Sequence, residues 1–524
     1  MSRGLSRIGV YLRQPLGRAG WLGLILLVLL VPAGMFRVAL WDYRLHSDDF
    51  EYLAASRTFG RAWANLYRPH NTHVVPAWRL LTAGVMQAAG RLPRLQETLA
   101  VATYGALAAL MLAVGWCISR ETGRPGLGVG AAIATGTTSV LFSSGTWYSS
   151  GQTVWAALGI VGMLLALQSW RRTSAPGALL LAAGASWLAG SMWTIGHAAG
   201  PVGCVYLLGH RRPLAALLPI GATLAAVVLA WSLGGRQIDA RISFHGRTQA
   251  EAADPVAGWA HTVQAIPEQL VGENLGLEPE TTVVQGAALT VAIALVWLIT
   301  WRRARPTPLE LAGATLVLLA YYVEWTFRGY LPFSSLRTVV PWYDTIPHVG
   351  AVLFGAGWMA RLAREQPDRL TRGAALGLVG LSVGLALVHQ PRVEALLIAG
   401  VPRPDAGEPA LPPTREFQLA RALYLWSAYH EAQRVDLARL EQVQALARRL
   451  GIGRDAIERV FGRVELLELP PVYDALGLLD LPERGREQDD ARVRAALADL
   501  MRPTPAPRFR LPAPPASVEL PARR

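Results

Sequence analysis

Long apolar runs constrain this chain more than any other feature. They fall near 21–41, 96–118, 126–143, 152–169, 177–193, 196–209, 214–233, 284–300, 309–327, 345–362 and 373–390. About 20 consecutive apolar residues in helical form cross the hydrocarbon core of a bilayer. Inside lipid, backbone amides must be satisfied within their own segment, so such runs form helices. The pattern therefore predicts an all-α polytopic membrane protein with about eleven transmembrane helices. The stretch 196–209 is short and is expected to form a tight hairpin with 177–193. The first run has no small-residue cleavage site after it, so it is expected to stay as a signal anchor.

Composition agrees with that reading. Hydrophobic residues make up 52% of the chain and charged ones 17%, where a soluble domain carries roughly 25% charge. The missing charge is what a membrane interior demands, and the composition excludes a disordered or collagen-like chain. Cys117 and Cys204 are the only cysteines and lie in apolar runs, which excludes a disulfide framework and a zinc-type cysteine cluster.

All 50 basic residues are arginines, and the net charge is +13. A nucleic-acid binder gathers such charge on one soluble face. Here the arginines alternate between short loops instead. Arg3, Arg7, Arg13 and Arg18 precede the first run. Every second loop then holds a group: Arg120 and Arg124, Arg171 and Arg172, Arg211 and Arg212, Arg302 to Arg305, and Arg361 to Arg372. The opposite loop at 144–151 carries no charge. Positive residues mark the cytoplasmic side, so the expected topology has a cytoplasmic N-terminus and an extracytoplasmic C-terminus. No nucleic-acid partner is needed to explain the charge.

Two long segments, 42–95 and 235–283, then face outward. The expected organisation is a transmembrane domain over 1–390, a proline-rich linker over 391–413, a soluble helical region on the outer face over 414–501, and a disordered proline-rich tail over 502–524.

The first outer segment concentrates polar chemistry. Directly after the first run comes Asp48-Asp49-Phe50-Glu51-Tyr52. Charged groups beside a membrane are costly unless they are solvated or functional. Adjacent carboxylates raise each other's pKa, which suits one of them to act as a general base or to bind a metal. The competing reading is a solvated loop with an aspartate capping a helix over Phe50–Thr58. Further on, His70 and His73 stand three apart before Val74-Val75-Pro76, and an interfacial amphipathic helix, interrupted by Arg79, is expected to run up to Gly90. The two histidines can hydrogen-bond a phosphate, cap a helix, or contribute to a divalent metal site that nothing else in the sequence completes.

These residues resemble the GT-C superfamily, polytopic glycosyltransferases that use lipid-linked sugars and include protein O-mannosyltransferases and bacterial aminoarabinose transferases. The resemblance rests on the carboxylate motif at 48–52, on the His73-Val74-Val75-Pro76 start of the second outer helix, and on Gly90-Arg91-Leu92 before the next span. At motif level it covers roughly 20–120. The family's doubled proline after a basic residue is absent, and His73 stands three residues before Pro76. The resemblance implies a GT-C-like fold with outer interfacial helices and transfer of a hexose or pentose from a polyprenyl-phosphate donor. The acceptor would be a glycan, lipid or protein on the outer face of a bacterial inner membrane. It implies Asp48 or Asp49 as the base and His73 at the phosphate. A divalent metal stays open.

Transfer from a lipid phosphate also needs cations for the departing group, and the planar guanidinium binds two phosphate oxygens at once. Arg328 and Arg337 flank the short outer segment, and Glu324 stands four residues before Arg328, within pairing distance on one helical face. Arg247 and His245 offer a second basic patch in the long outer loop. Snorkelling into an aromatic belt explains the same arginines without function. His197 is expected to be structural, and Trp147-Tyr148 to stack on a sugar or sit in the belt. The alternative function is a lipid or polyanion transporter or flippase, which would place ionisable groups at the bilayer midplane within inverted repeats. Here they gather at outer ends and no repeat is visible. A membrane scaffold would leave Asp48 and Asp49 without work.

Overall fold

The computed structural model describes residues 58–69, 73–89, 95–138, 148–234, 254–275, 279–328 and 341–365, with isolated positions at 25, 26, 29, 30, 33, 34, 52, 56, 141, 144, 145, 380 and 384. All of them belong to one compact unit of the chain. The expected first and last spans, and the regions 391–413, 414–501 and 502–524, lie outside the described residues apart from the isolated positions.

Among the described residues the structure is helical, without a β-strand. The helices are α1 (Phe59–Ala64), α2 (Pro76–Ala89), α3 (Leu95–Thr122), α4 (Pro125–Gly136), α5 (Gly151–Thr173), α6 (Pro176–Met192), α7 (Ala199–Gly209), α8 (Pro213–Leu233), α9 (Pro255–Ala265), α10 (Pro279–Arg303), α11 (Pro308–Arg328) and α12 (Thr345–Glu365). A 3-10 turn over Thr194–Ala198 joins α6 to α7, and a π-helical segment, Ile266–Gly272, extends α9. Pro267 lies in that segment and has no N–H to give to the turn before it, a local cause for the widened ladder.

Local chemistry sets the helix ends. Proline opens α4, α6, α8 and α9, where its missing N–H costs nothing. Thr58 caps α1 by accepting from the Arg61 amide at 3.2 Å, and Asp254 caps α9 by accepting from Val256 at 2.8 Å. Gly123 (φ 69°) and Ser174 (φ 54°) turn the chain into the left-handed region after α3 and α5.

Nine of these helices fall on the second to tenth expected spans. Four are long and apolar enough to cross a membrane: Thr98–Thr122, Gly151–Thr173, Pro213–Leu233 and Val284–Arg302. Two thirds (67%) of the apolar window in α5 is buried, against 6% in α10, so α5 lies inside the bundle and α10 on its rim. Leu295, Ile299 and Trp301 stand exposed along α10, the surface that lipid would cover.

Two expectations are corrected. The span expected over 126–143 ends as a helix at Gly136. Thr135 and Thr137 bond back to the carbonyls of Ala131 and Ile133, while Thr138 donates to the Asn274 side chain at 2.8 Å and so leaves the ladder. The expected hairpin of 177–193 with 196–209 opens instead. α6 packs along α5, and α7 packs chiefly on α8 and α11. Gly200 and Gly203 allow this, since a Cβ at either would meet Thr223, Pro219 or Met163.

Small residues bring other helices together, as in membrane bundles generally. A Cβ at Gly159 of α5 would lie 2.9 Å from that of Ala189 in α6. In the pair α11–α12, a Cβ at Gly313 would lie 2.6 Å from the Gly350 carbonyl oxygen, and one at Gly357 2.7 Å from the Glu310 amide. Gly313→Leu is therefore expected to destabilise by about 1–3 kcal/mol. Thermal unfolding of the detergent-solubilised protein reads this, and an unchanged midpoint would refute the close approach.

The arginine-bearing helix ends also meet. Arg171 and His210 both reach Glu121, at 3.0 and 3.1 Å, and Tyr206 donates to it at 2.6 Å. Arg124 bonds the Ala363 carbonyl at 3.1 Å. Glu310 and Arg361, both buried, form a bidentate pair at 2.7 and 3.1 Å. Glu310 also completes a capping box with Thr307 and accepts from the Trp297 indole.

Candidate active site

At the opposite end of the bundle, buried polar and aromatic side chains from seven parts of the chain come together. The core of this cluster is the start of α2. Val74 and Val75 are buried, and Pro76 opens the helix. Trp78, Arg79 and Thr82 therefore turn inward. Arg79 is fully buried, which no interfacial helix with a snorkelling arginine would show. Its guanidinium donates to the Arg68 carbonyl at 3.0 Å and stands 5.6 Å from the centre of the Tyr52 ring. Tyr52, the last residue of the carboxylate motif, is also fully buried and meets Trp78 edge-on at 6.3 Å. Trp78 packs on Tyr148 at 4.7 Å, and the Tyr148 hydroxyl donates to Thr82 at 3.0 Å.

His73 is 1% exposed and reaches a different wall. Its Nδ1 lies 2.8 Å from the Thr194 hydroxyl, and its ring stacks on Trp193 at 4.1 Å. Both partners belong to the α6–α7 turn. Trp193 in turn contacts Tyr343 at 5.7 Å, just before α12. The neighbouring Asp344 accepts from the Tyr321 hydroxyl of α11 at 2.7 Å. One turn beyond Tyr321, Glu324 is 2% exposed. The described part of the long segment 235–283 covers this end of α11, with Trp259 on Tyr322 at 5.0 Å and His261 beside Trp325 at 5.5 Å. The π-helical segment adds Leu270 against Tyr321.

The structure thus brings His73 and Glu324 to the same end, linked through Trp193, Tyr343, Asp344 and Tyr321. Asp48, Asp49, His70, His245, Arg247 and Arg337 lie outside the described residues. Arg328 closes α11, and its side chain is outside them too. Among the described residues no three His, Cys, Asp or Glu side chains are grouped to hold a metal. His197 sits in the α6–α7 turn with its ring over Gly190. Tyr148 packs inside the cluster and not in an outer belt.

Sequence reasoning reads Arg79 only as an interruption of an interfacial helix, and it passes over Asp344. A charge one turn into an apolar helix was the available signal for Arg79. For Asp344 there was only an acid next to a helix start, which is commonplace.

The chain is similar over 92% of its length to the crystal structure of ArnT from Cupriavidus metallidurans bound to undecaprenyl phosphate, with 16% identity, a TM-score of 0.41 and 78% of that chain covered. It is also similar over 76% of its length to the oligosaccharyltransferase of Archaeoglobus fulgidus in complex with Zn and sulfate, with 13% identity, a TM-score of 0.37 and 55% of that chain covered. No family model matches the sequence, and no curated protein matches it.

Proposed function

We propose that this chain is an integral membrane glycosyltransferase that moves a sugar from a polyprenyl-phosphate donor to a glycan, lipid or protein acceptor. The reaction is assigned to the outer face of a bacterial inner membrane. One observation carries the reading: the two motif-bearing halves of the first outer loop converge on the start of α2. Tyr52, at the end of the Asp48-Asp49 motif, is buried against Trp78 and Arg79, and His73 is buried against Trp193 and Thr194.

In this reading Asp48 or Asp49 takes the proton from the acceptor hydroxyl as the new glycosidic bond forms. The bond from the sugar to the phosphate breaks, and cations stabilise the charge that develops on the leaving phosphate. His73 is assigned to that phosphate, with His70, Arg247, His245, Arg328 and Arg337 as further candidates and Glu324 as a partner that orients an arginine. Arg79 is a positioning residue: it holds Tyr52, and with it the chain three residues after Asp49.

The test is a transfer assay on the reconstituted protein with a panel of labelled polyprenyl-phosphate sugars and mixed acceptors. Transfer from one such donor, and none from the matching nucleotide sugar, supports the reading. Movement of the intact lipid between leaflets without transfer would establish the flippase instead.

A further inference from the structure

A second feature lies at the arginine-bearing end, away from His73. The facing sides of α3, α4 and α5 leave a groove of about 1010 Å³, at the upper end of small-molecule pockets. Its wall is apolar, with Leu112 and Trp116 from α3, Val129 from α4 and Leu165 from α5. Its mouth holds Arg120 and Arg172. Trp116 is 64% exposed, so the groove opens on the flank that lipid would touch. From Arg120 back to Leu112 the wall runs along α3 for about 12 Å.

The two arginines are differently placed from their neighbours. Glu121 is already engaged by Arg171, Tyr206 and His210. Arg172 donates to the Arg120 carbonyl, which draws the two residues together. Neither has a carboxylate partner among the described residues. The N-terminus of α4 begins at Pro125 on the same rim and adds the positive end of a helix dipole. Two guanidiniums without a carboxylate partner among the described residues, at the head of a long apolar wall, match a molecule with an anionic head and a hydrocarbon tail.

We propose that this groove binds an anionic phospholipid from the leaflet that meets the arginine-rich helix ends. Arg120 and Arg172 take its phosphate, and Leu112, Trp116, Val129 and Leu165 take an acyl chain. Arginine binds phosphate oxygens in pairs, and basic pockets between transmembrane helices select anionic headgroups. A free phosphate would leave the apolar wall uncovered. The proposal is independent of the glycosyltransferase reading, since the site lies at the other end of the bundle.

The experiment titrates phosphatidylglycerol and phosphatidylcholine of identical chains into the delipidated full-length protein, with native mass spectrometry and thermal unfolding as readouts. Sodium phosphate serves as the free-anion arm. Phosphatidylglycerol is expected to bind and raise the unfolding temperature, with phosphatidylcholine about 30-fold weaker. The variant Arg120→Gln/Arg172→Gln should lose about 30-fold for phosphatidylglycerol, the attraction of two basic residues at a surface. Arg211→Gln/Arg212→Gln removes the same charge elsewhere and should leave binding unchanged. Val129→Trp fills the groove with both arginines kept and should also lose binding. Equal affinity for the two lipids, undiminished binding by Val129→Trp, or full competition by sodium phosphate would overturn the proposal. Should Arg120→Gln/Arg172→Gln fail to fold, Val129→Trp and the lipid comparison still decide it.

Discussion

Asp48→Asn and Asp49→Asn, made singly, are expected to leave the protein folded while transfer collapses in at least one of them. A positioned general base contributes a factor of about 10² to 10⁴ in rate, so the variant that removes it should fall by that much. Asparagine keeps the size and hydrogen-bonding shape of aspartate and removes only its ability to take a proton. The side chain that is not the base should cost less, and the difference between the two variants identifies the base. Transfer rates at saturating donor, with the unfolding temperature as a control, provide the measurement. Full activity in both variants would remove the carboxylate pair from the mechanism.

The second large effect is expected on stability. Glu310 and Arg361 are 0% and 2% exposed at the side chain and bonded twice to each other. Arg361 also donates to the Ala304 carbonyl at 2.7 Å and the Thr300 hydroxyl at 3.2 Å. Removing one partner strands a buried charge, which costs about 3–5 kcal/mol. Glu310→Leu should show that loss in full, because it also removes the carboxylate half of the capping box at the start of α11. Arg361→Leu should show nearly as much. The double variant Glu310→Leu/Arg361→Leu should recover a large part of it, since no isolated charge remains. Unfolding free energies of the four proteins in one detergent test this, and strict additivity would mean the pair is not coupled.

Helix positions were readable in the sequence to a useful degree, for a physical reason. Apolar runs long enough to cross lipid have few alternative structures, so α3, α5, α8 and α10 could be drawn from composition alone. The boundary of α4 was harder. Val140, Leu141 and Phe142 continue the apolar run, and only the back-bonding of Thr135 and Thr137 and the bond from Thr138 to Asn274 show where the helix stops. Short apolar segments joined at a turn can fold back or diverge, and hydropathy cannot choose. For α6 and α7 the choice depends on glycine contacts with other helices.

The candidate site was legible in part. His73 stood out through its spacing from Pro76, and Glu324 through its place at the outer end of an apolar run. The inward turn of Arg79 was not legible, because an arginine at that position of an interfacial helix fits a snorkelling side chain equally well. The same holds for Tyr148, Trp193 and Tyr343. Aromatic residues at helix ends serve membrane belts and buried clusters alike, and only the packing tells them apart.

The rim helix α10 carries a consequence of its own. Its described contacts are confined to its two ends. Gly286 lies beneath Pro267 of the π-helical segment, and Trp297 and Thr300 engage Glu310, Trp358 and Arg361. Between Gly286 and Trp297 the stretch 287–296 spans about 15 Å of a helix of 25 residues. Such a helix answers to bilayer thickness by tilting. One of its ends is clamped by the Glu310–Arg361 pair, so tilt is passed to the other, where the π-helical segment rests on Tyr321. A tilt of α10 would therefore bear first on the segment that packs against Tyr321, the hydrogen-bond partner of Asp344.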